Sequence, residues 1–522
     1  MTSDESTLTV GPLQTLTGHS GLPQVPALTI IWHPDIDRIG QIAPLTSLLE
    51  VDVAHLSRSE PFFLPPGADS GEPLSHRGIS KDSVLDITFE RGAFELRRVQ
   101  EDEVEVDGQL LTRNRRVSSD DLARGLIITV ARRFVLCLHS VHFPISRSPT
   151  LGLLGTSDGI EDVRRSIARV ADKPIPVLLR GESGSGKELA ARALHETGAR
   201  AKGRFVAINM ASLIRERAAA ELFGYKKGSF TGATSDVPGH FRAAHGGTIF
   251  LDEIGYTTRD VQPMLLRVLD DNEILPLGAS QFTKVDVRVV AATDAKLEKA
   301  VAEDRFERPL YNRLHTAFNI NLPPLRQRRE DVGVLLLHFL KKEFGDAADL
   351  QRFQDPDPRT RPWLAARDVA AIALSPLPAN VRSIVGLARE LFAKAGDSLA
   401  GDTHAIVVAF LLGKLTGRSG DGQGLPFEDQ STPTPVEHSL ERLVAALERA
   451  NWNRKEAAVV LGVSRATFYR CLEKYPDLQH LLAVDLSELQ RQLAACEGDV
   501  HRLASQLGTS PALVNRRLAQ KP

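Results

Sequence analysis

Seven residues limit the fold of this chain more than any other feature. The segment Gly-Glu-Ser-Gly-Ser-Gly-Lys, residues 181–187, lies between the apolar run VLLR and the helical run ELAARALHE. Glycines at this spacing let backbone N–H groups converge on a phosphate, and the N-terminus of the following helix adds positive potential. The segment therefore predicts a strand, a phosphate-binding loop and a helix. The predicted phosphate-binding residues are Gly181, Glu182, Ser183, Gly184, Ser185, Gly186, Lys187 and Glu188.

A second motif carries acidic side chains at the end of a strand. The run TIFLDE, residues 248–253, is apolar until it ends in Asp252 and Glu253. Asp252 can hold Mg²⁺, and Glu253 can polarise an attacking water molecule. Lys187 would neutralise charge on the β- and γ-phosphates, whereas Glu188 stands where the general motif has a Ser or Thr that touches Mg²⁺. Together the two motifs predict an NTPase.

Composition divides the 522 residues into three regions, in keeping with roughly 150 residues per domain. Short β-rich runs predict an N-terminal antiparallel β-sandwich. Alternating apolar strands and helical runs predict a central α/β domain with a parallel sheet, followed by helices. The last region is all-α and contains two helical repeats offset by about 46 residues. The predicted boundaries are 1–27 (flexible N-terminus), 28–142 (sandwich), 143–150 (linker), 151–415 (α/β domain and its helices), 416–435 (flexible linker), 436–478 (first repeat) and 485–522 (second repeat).

Composition also excludes several classes of protein. Lys and Arg number 64 against 66 Asp and Glu, so the net charge of -2 gives no global field for nucleic acid, and any basic surface must be local. Three cysteines are too few for a disulfide framework or a thiolate metal site. The polar, acidic N-terminus does not resemble a secretion signal, and every apolar run is far shorter than the ~20 residues that cross a bilayer. We therefore expect a cytoplasmic protein with no membrane contact.

The stretch ELFGYKKGSFTGATSDVPGHFRAAHGGTIFLDEIG resembles the central domain of bacterial enhancer-binding proteins, the AAA+ ATPases that activate RNA polymerase carrying sigma-54. The resemblance covers about residues 151–391 and continues into the first C-terminal repeat. It implies ATP and Mg²⁺ as cofactors, sigma-54 RNA polymerase as a partner, and homo-oligomers from dimer to hexamer. One segment differs by one residue from the family's GAFTGA loop, whose tip contacts sigma-54. The implied sigma-54 contacts are Gly228, Ser229, Phe230, Thr231, Gly232 and Ala233, with Phe230 and Thr231 at the tip.

Other site residues follow from the same resemblance, position by position. Gly155 and Ser157 match the segment that lines the adenine pocket. Asn209 matches the asparagine that holds the catalytic glutamate, here Glu253, inactive until nucleotide and target are sensed. The run LPPLRQRREDV resembles the family's turn into a helical lid, and Arg382 in PANVR takes the place of the sensor II arginine near the γ-phosphate.

Two positions depart from the family pattern. Arg313 keeps the place of the arginine finger that reaches a neighbouring subunit's nucleotide, but the first finger position carries Glu307, with Arg308 beside it. Sensor I, an Asn or His in the family, is Asp294 here. A carboxylate near the γ-phosphate is electrostatically unfavourable, and a trans arginine can contribute ~10³ or more in rate. Two interpretations stay open: an active ATPase, or an ATP-binding DNA regulator with weak or no hydrolysis.

The run EAAVVLGVSRATFYRCLEKY resembles the Fis-type helix-turn-helix with which members of the family end, and it implies binding to double-stranded DNA at an upstream activator sequence. Helical spacing turns four residues toward a major groove: Arg465, Ala466, Thr467 and Arg470. The second repeat offers Arg516 and Arg517 in a comparable place. It either reads further base pairs or serves as a dimerisation or packing copy.

The N-terminal runs LSRSEP, ISKDSVLDITFERGAFELRRV and VEVDGQLL resemble a forkhead-associated (FHA) domain. Arg58 and Ser80 occupy the positions that hold phosphothreonine in that family, which implies a phosphothreonine protein as a partner. Ser57, Lys81 and Ser83 replace the family's Gly, Arg and His. Two interpretations stay open: phosphothreonine binding, or a sandwich that only pairs with the ATPase ring.

The sequence thus predicts a transcription activator in which ATP hydrolysis drives the glycine-hinged loop against sigma-54. A further alternative is a phosphopeptide-reading adaptor whose ATPase acts on a target other than sigma-54.

Overall fold

The structure is a computed structural model. It describes residues 24–49, 52–90, 93–100, 103–143, 145, 148–231, 233–294, 296–345, 353, 362–395, 403–416, 486–496 and 498–518, with scattered residues between 443 and 482. The chain divides into two units, residues 1–419 and 420–522. Among the described helices, none is long and apolar enough to cross a membrane.

Two antiparallel sheets form the N-terminal domain, as the short β-rich runs predict. One sheet has the strand order β2-β1-β10-β9-β6-β7 and the other β3-β4-β5-β8. Their inner faces share a buried core, to which Leu28 and Leu136 contribute from the first sheet and Ile87 and Leu96 from the second. The elements are β1 (Gln24–Trp32), β2 (Ile42–Pro44), β3 (Val53–Leu56), β4 (Leu85–Glu90), β5 (Ala93–Arg98), β6 (Val104–Val106), β7 (Gln109–Leu110), β8 (Asn114–Val117), α1 (Ser119–Arg124), β9 (Leu126–Val130) and β10 (Phe134–His142).

The first strand begins before the boundary expected from the sequence. β1 starts at Gln24 because β10 continues to His142 and pairs with it in antiparallel register. The ladder therefore extends over residues 24–27, which composition alone assigned to the flexible N-terminus.

The central domain is built on a parallel sheet of order β12-β15-β18-β11-β19, which confirms the predicted α/β class. The three inner strands, β15, β18 and β11, are buried at almost every position and read as apolar runs, whereas the edge strands β12 and β19 are partly exposed. The elements are α2 (Asp158–Val170), β11 (Val177–Arg180), α3 (Lys187–Glu196), β12 (Phe205–Asn209), α4 (Arg215–Phe223), β13 (Gly224–Tyr225), β14 (Val237–Pro238), α5 (His240–Ala243), β15 (Thr248–Asp252), α6 (Gln262–Asp271), β16 (Glu273–Ile274), β17 (Thr283–Lys284), β18 (Arg288–Thr293), α7 (Leu297–Ala302), α8 (Arg308–His315) and β19 (Phe318–Asn321).

A group of helices follows the sheet and forms the lid. Two short 3-10 turns, Leu325–Gln327 and Arg329–Asp331, connect β19 to these helices. The lid helices are α9 (Val332–Phe344), α10 (Ala366–Leu374), α11 (Val381–Ala395) and α12 (Thr403–Thr416).

The sandwich and the lid share one hydrophobic core. Ile31, Val135 and Cys137 of the sandwich are buried in the same cluster as Leu336 and Leu340 of α9. Composition predicted separate compact regions joined by a linker, and the structure instead packs these two against each other.

The C-terminal unit contains α13 (Leu486–Ala495), α14 (Val500–Leu507) and α15 (Pro511–Leu518), the helix and helical hairpin predicted for the second repeat. Asp499 caps α14 by accepting the His501 and Arg502 N–H groups, and Gly508 ends that helix at a left-handed φ of 61°. Leu503 and Val514 are buried in a cluster that also holds residues of the first repeat.

Candidate functional site

Parallel strands bring the predicted catalytic residues to one edge of the central sheet. Register places Asn209 beside Asp252, and Arg180 beside Thr293, at the carboxyl ends of their strands. Since β11 leads into the phosphate loop and lies between β18 and β19, the loop emerges at this same edge. The edge is where α/β folds place their ligands.

The phosphate loop has the backbone geometry of an anion cradle. Gly186 has a φ of 109° and immediately precedes α3, so the helix N-terminus faces the loop. Gly184 has a φ of 75°, and a Cβ there would lie 2.2 Å from the Ala379 carbonyl oxygen, which leaves room for glycine alone. Lys187 is buried; its Nζ donates to the Gly181 carbonyl oxygen at 2.9 Å and lies 3.6 Å from Glu253 Oε1.

The strand-end acids lie in an environment that disfavours their charge. Burial raises the pKa of Glu253, and Asp294 and Asp252 raise it further against the opposing effect of Lys187. Burial likewise raises the pKa of Asp252, while Lys187 lowers it. Glu253 also holds a left-handed φ of 54°, a strained conformation of the kind found at functional sites. Asp294 is thus electrostatically coupled to both acids.

The lid contacts the phosphate loop through the run Pro378–Arg382. Arg382 Nη1 donates to Ser183 Oγ at 3.1 Å, at the predicted sensor II place. Asn380 is fully buried, donates to the Ser183 carbonyl oxygen at 3.0 Å and accepts the Leu325 N–H at 2.7 Å. Arg326 forms a two-pronged ion pair with Glu182, which lowers the pKa of that carboxyl. Asn380 and Arg326 lie inside motifs quoted from the sequence, but nothing in the pattern singled them out.

The adenine-side loop is fixed by a residue that the sequence analysis missed. Asp331 is fully buried and accepts the N–H groups of Thr156 and Ser157 and the hydroxyl of Ser157. A Cβ at Gly155 would lie 2.5 Å from the Asp331 carboxylate. The run RREDV was assigned from the sequence only to the turn into the lid, and its spacing gives no sign of partners 174 residues away in the chain.

Two predicted residues make other contacts in the isolated subunit. Asn209 Oδ1 caps the following turn by accepting the Ala211 N–H at 2.9 Å. Arg313 pairs with Asp270 at 2.9 Å and donates to the Leu269 carbonyl oxygen, both on α6. Glu307 precedes α8, and its N–H donates to Gln262 Oε1.

The predicted sigma-54 loop lies between the short paired strands β13 and β14. Its ends are tied by the Gly228 N–H to the Ala233 carbonyl oxygen at 2.9 Å and by an ion pair between Lys226 and Asp236 at 2.6 Å. Phe230 is 48% exposed with its ring against Tyr225, and Thr231 is exposed. Gly232 lies outside the described residues. The structure thus presents an aromatic side chain to solvent on a narrow hairpin.

In the sandwich, Arg58 and Ser80 are adjacent, since the Arg58 N–H donates to the Ser80 carbonyl oxygen at 2.9 Å. Within the described part of the chain, the Arg58 guanidinium has no hydrogen-bond or ion-pair partner. Ser80 Oγ accepts the Asp82 N–H.

The contacts of Arg516 and Arg517 in the C-terminal unit bear on whether the second repeat reads further base pairs or packs against another part of the protein. Arg516 forms a two-pronged ion pair with Glu448, and Arg517 is buried with its guanidinium over the Trp452 ring. Both arginines therefore hold residues of the first repeat. The predicted DNA-reading residues Arg465, Ala466, Thr467 and Arg470 lie outside the described residues.

A phosphate loop, strand-end acids and a helical lid on a parallel sheet define a P-loop domain of the AAA+ class. Residues 153–320 match the sigma-54 interaction domain family, and residues 437–475 match the Fis family of bacterial regulatory proteins. The chain belongs to the NtrC-type family of regulators that combine these two domains.

Two relatives that are similar in sequence agree with this assignment. The DNA-binding transcriptional regulator NtrC of Escherichia coli K12 is 38% identical over 344 residues, which cover 62% of this chain and 70% of NtrC. The Nif-specific regulatory protein of Rhodobacter capsulatus is 35% identical over 404 residues, covering 70% and 67%. Among solved structures, NtrX from Brucella abortus in complex with ADP is 29% identical, covers 62% of this chain and 69% of its own, and has a TM-score of 0.43.

Proposed function

We propose that this protein is a transcription activator that binds upstream DNA and uses ATP hydrolysis to remodel RNA polymerase carrying sigma-54. One observation carries the proposal: the same domain joins a phosphate loop, acids and a lid arginine at one sheet edge, and projects the exposed Phe230 on a separate hairpin. Its membership of the NtrC-type family supports both halves of this arrangement.

In the proposed reaction, water attacks the γ-phosphate in line with the leaving oxygen. Glu253 polarises that water, and Lys187 neutralises charge on the β- and γ-phosphates. Arg382 from the lid and Arg313 from a neighbouring subunit neutralise the charge that spreads over the phosphoryl oxygens. Asn209 controls the position of Glu253, and Asp294 occupies the sensor I place.

The residues at the sheet edge fit Mg²⁺. Glu253 Oε2 and Ser185 Oγ are buried without a hydrogen-bond partner in the described part of the chain, so the site offers polar atoms to a ligand. Mg²⁺ is usually held by one or two carboxylates together with substrate phosphates. Asp252 would hold the ion, with Glu188 beside the loop in place of the usual hydroxyl. The bound ion would neutralise phosphate charge.

The ring assembly follows from Arg313. Because its contacts within the subunit are on α6 and not on the phosphate loop, its proposed target is the nucleotide of the next subunit. We therefore expect a homo-oligomer, between a dimer and a hexamer in size.

The proposed recognition of a phosphorylated partner belongs to the N-terminal domain, and the proposed binding of DNA belongs to the C-terminal region. The Arg58 guanidinium, which has no partner among the described residues and stands beside Ser80, supports phosphothreonine binding by the FHA-like sandwich. The Fis-family match supports DNA binding by the first C-terminal repeat, while the contacts of Arg516 and Arg517 favour a packing role for the second. The proposed compartment is the cytoplasm, where the polymerase is found.

A second candidate function is an ATP-binding DNA regulator with weak hydrolysis, and Asp294 is the observation that favours it. Its carboxylate adds negative charge beside Glu253 and Asp252, where the transition state is anionic. We expect Asp294→Asn to raise the rate of phosphate release roughly tenfold, about 1.4 kcal/mol in the barrier. Steady-state phosphate release measures this, with the exposed acid variant Asp304→Asn as the matched control. An unchanged rate would remove Asp294 as the cause of slow turnover.

Thr231 tests the sigma-54 contact itself. We expect Thr231→Ala to keep ATP hydrolysis within about twofold, because Thr231 lies on the hairpin and not at the phosphate loop. Open-complex formation at a sigma-54 promoter should fall at least about tenfold, roughly 1.4 kcal/mol, because the proposed contact with sigma-54 is removed. Thr234→Ala, an exposed threonine just beyond the motif, is the control and should retain both activities. If Thr231→Ala still opens the promoter, the loop assignment is wrong and the ATPase has another target.

A further inference from the structure

The sandwich packs on the back of the lid at backbone distance. A Cβ placed on Gly333, in the first turn of α9, would lie 1.9 Å from the Ile31 carbonyl oxygen of β1. A Cβ on Gly40 would lie 2.6 Å from Val334 of the same helix. Such close approach of a helix to a strand requires glycine and leaves no room for the two domains to slide.

Four consecutive residues, Arg328–Asp331, lie where the sandwich, the lid and the nucleotide loops meet; we call them the coupling segment. Arg328 Nη2 donates to the Ser185 carbonyl oxygen of the phosphate loop at 3.3 Å. Asp331 holds the adenine-side loop through three hydrogen bonds. The outer two residues of the segment therefore both face nucleotide-binding loops.

The inner two residues of the coupling segment face the sandwich. Arg329 Nη1 donates to the Gly125 carbonyl oxygen at 3.1 Å and lies 3.9 Å from Asp107. Glu330 Oε1 lies 3.8 Å from His139 Nδ1 on β10. Arg329–Asp331 is a single 3-10 turn with a buried Glu330 and a fully buried Asp331, so one short, tightly packed element contacts both the sandwich and the nucleotide-binding loops.

We propose that the sandwich sets the affinity of the ATPase domain for nucleotide through the coupling segment, so that it supports the nucleotide site and is not a detachable reader. This inference rests on the proposed binding of ATP. It adds the residues that connect the two domains and the direction in which the nucleotide affinity changes. A sandwich held on Gly333 keeps Arg328 and Asp331 in place for nucleotide, and a displaced sandwich weakens binding. By thermodynamic reciprocity, bound nucleotide must also hold the sandwich more firmly on the lid.

The test uses the full chain and titration with a fluorescent ADP analogue. We expect Gly333→Ala to weaken the affinity by about tenfold or more, within the usual range of coupling between sites. Gly386→Ala is the matched control in lid helix α11, where the nearest atom to a new Cβ is 3.7 Å away, and it should bind as the wild type does. Wild-type affinity in Gly333→Ala would overturn the proposal.

Amide hydrogen exchange distinguishes coupling from a purely structural contact, because a purely structural contact would not respond to ADP. ADP should slow exchange of the β10 peptide in the wild type and not in Gly333→Ala, and equal exchange with and without ADP in the wild type would overturn the coupling. If Gly333→Ala does not fold, Arg329→Gln decides, with about threefold weaker binding expected and unchanged binding as the contradiction. Lys187→Ala separates the two proposals: if the wild type binds the analogue no better than this variant, the proposed function fails before coupling is tested.

Discussion

Replacing Arg313 by Ala is expected to lower the rate of ATP hydrolysis by about a thousandfold while nucleotide affinity stays within about twofold. The reason is the location of the side chain. Within its own subunit Arg313 is paired with Asp270 on the surface of α6, so we expect it to contribute to catalysis only when a neighbouring subunit presents a nucleotide to it. Phosphate release and analogue titration on the same preparation measure both quantities.

Mixing experiments sharpen this expectation. A Lys187→Ala subunit has lost its phosphate-binding lysine but keeps Arg313, so adding it to Arg313→Ala subunits should restore part of the activity that neither variant shows alone. Arg389→Ala is the matched control, since Arg389 also pairs with an acid, Glu343, on the surface of the domain. Mixtures no more active than the separate variants would contradict a finger that acts between subunits. In that case Arg308, exposed on the same helix, becomes the residue to test.

Glu330→Gln is expected to remove the dependence of stability on pH that this buried acid imposes. Burial raises the pKa of Glu330 to about 8, and Asp331 and Asp158 raise it against the opposing charge of Arg328. The folded protein then keeps a proton that the unfolded chain loses near its ordinary pKa of about 4.3. The contribution of Glu330 to the free energy of unfolding is therefore greatest below that value and is lost as the pH rises to about 8.

The variant removes this loss. At about 1.4 kcal/mol per pKa unit, the wild type should lose roughly 3–5 kcal/mol of stability between pH 4.5 and 8, and Glu330→Gln should lose almost none of that share. Denaturant unfolding at several pH values measures the difference, and the variant should be the more stable protein at pH 8.

Glu161 provides a control of opposite sign. Burial acts to raise its pKa, but hydrogen bonds from Ser148 and the ion pair with Arg164 outweigh burial and lower it. Its contribution to stability is present above the unfolded pKa and is lost as the pH falls, so Glu161→Gln should destabilise the protein most at neutral pH. If the effects of the two variants on the free energy of unfolding change with pH in the same direction, Glu330 is not protonated in the folded protein.

The nucleotide site could be predicted from the sequence because its residues are fixed by local chain geometry. A glycine loop between a strand and a helix, and acids at the end of a buried strand, determine their own positions once the sheet is parallel. The roles of Asp331 and Asn380 could not be predicted, because these residues hydrogen-bond to partners that are distant in the sequence. Their partners, Ser157 and Ser183, lie more than a hundred residues away in the chain, and no spacing records such contacts.

The sandwich-lid contact was missed for a different reason, although a signal was present. An antiparallel strand with one wet face alternates apolar and polar residues, yet β1 is buried at almost every position and β9 at all of them. The runs LTIIW and LIITV are therefore typical of strands covered on both faces. Sequence indicates that something covers the outer face, but the choice of α9 depends on a glycine whose importance appears only when Ile31 lies against it.

In a multidomain regulator whose domains do not share a core, one N-terminal domain can be exchanged for another without disturbing the ATPase domain. Gly333 and Ile31 make this chain different. A chimera that kept residues 151–415 and received a different N-terminal domain would leave Leu336, Leu340 and their neighbours without the strands that now cover them. Exchange of the N-terminal domain therefore requires a redesigned outer surface on the lid as well.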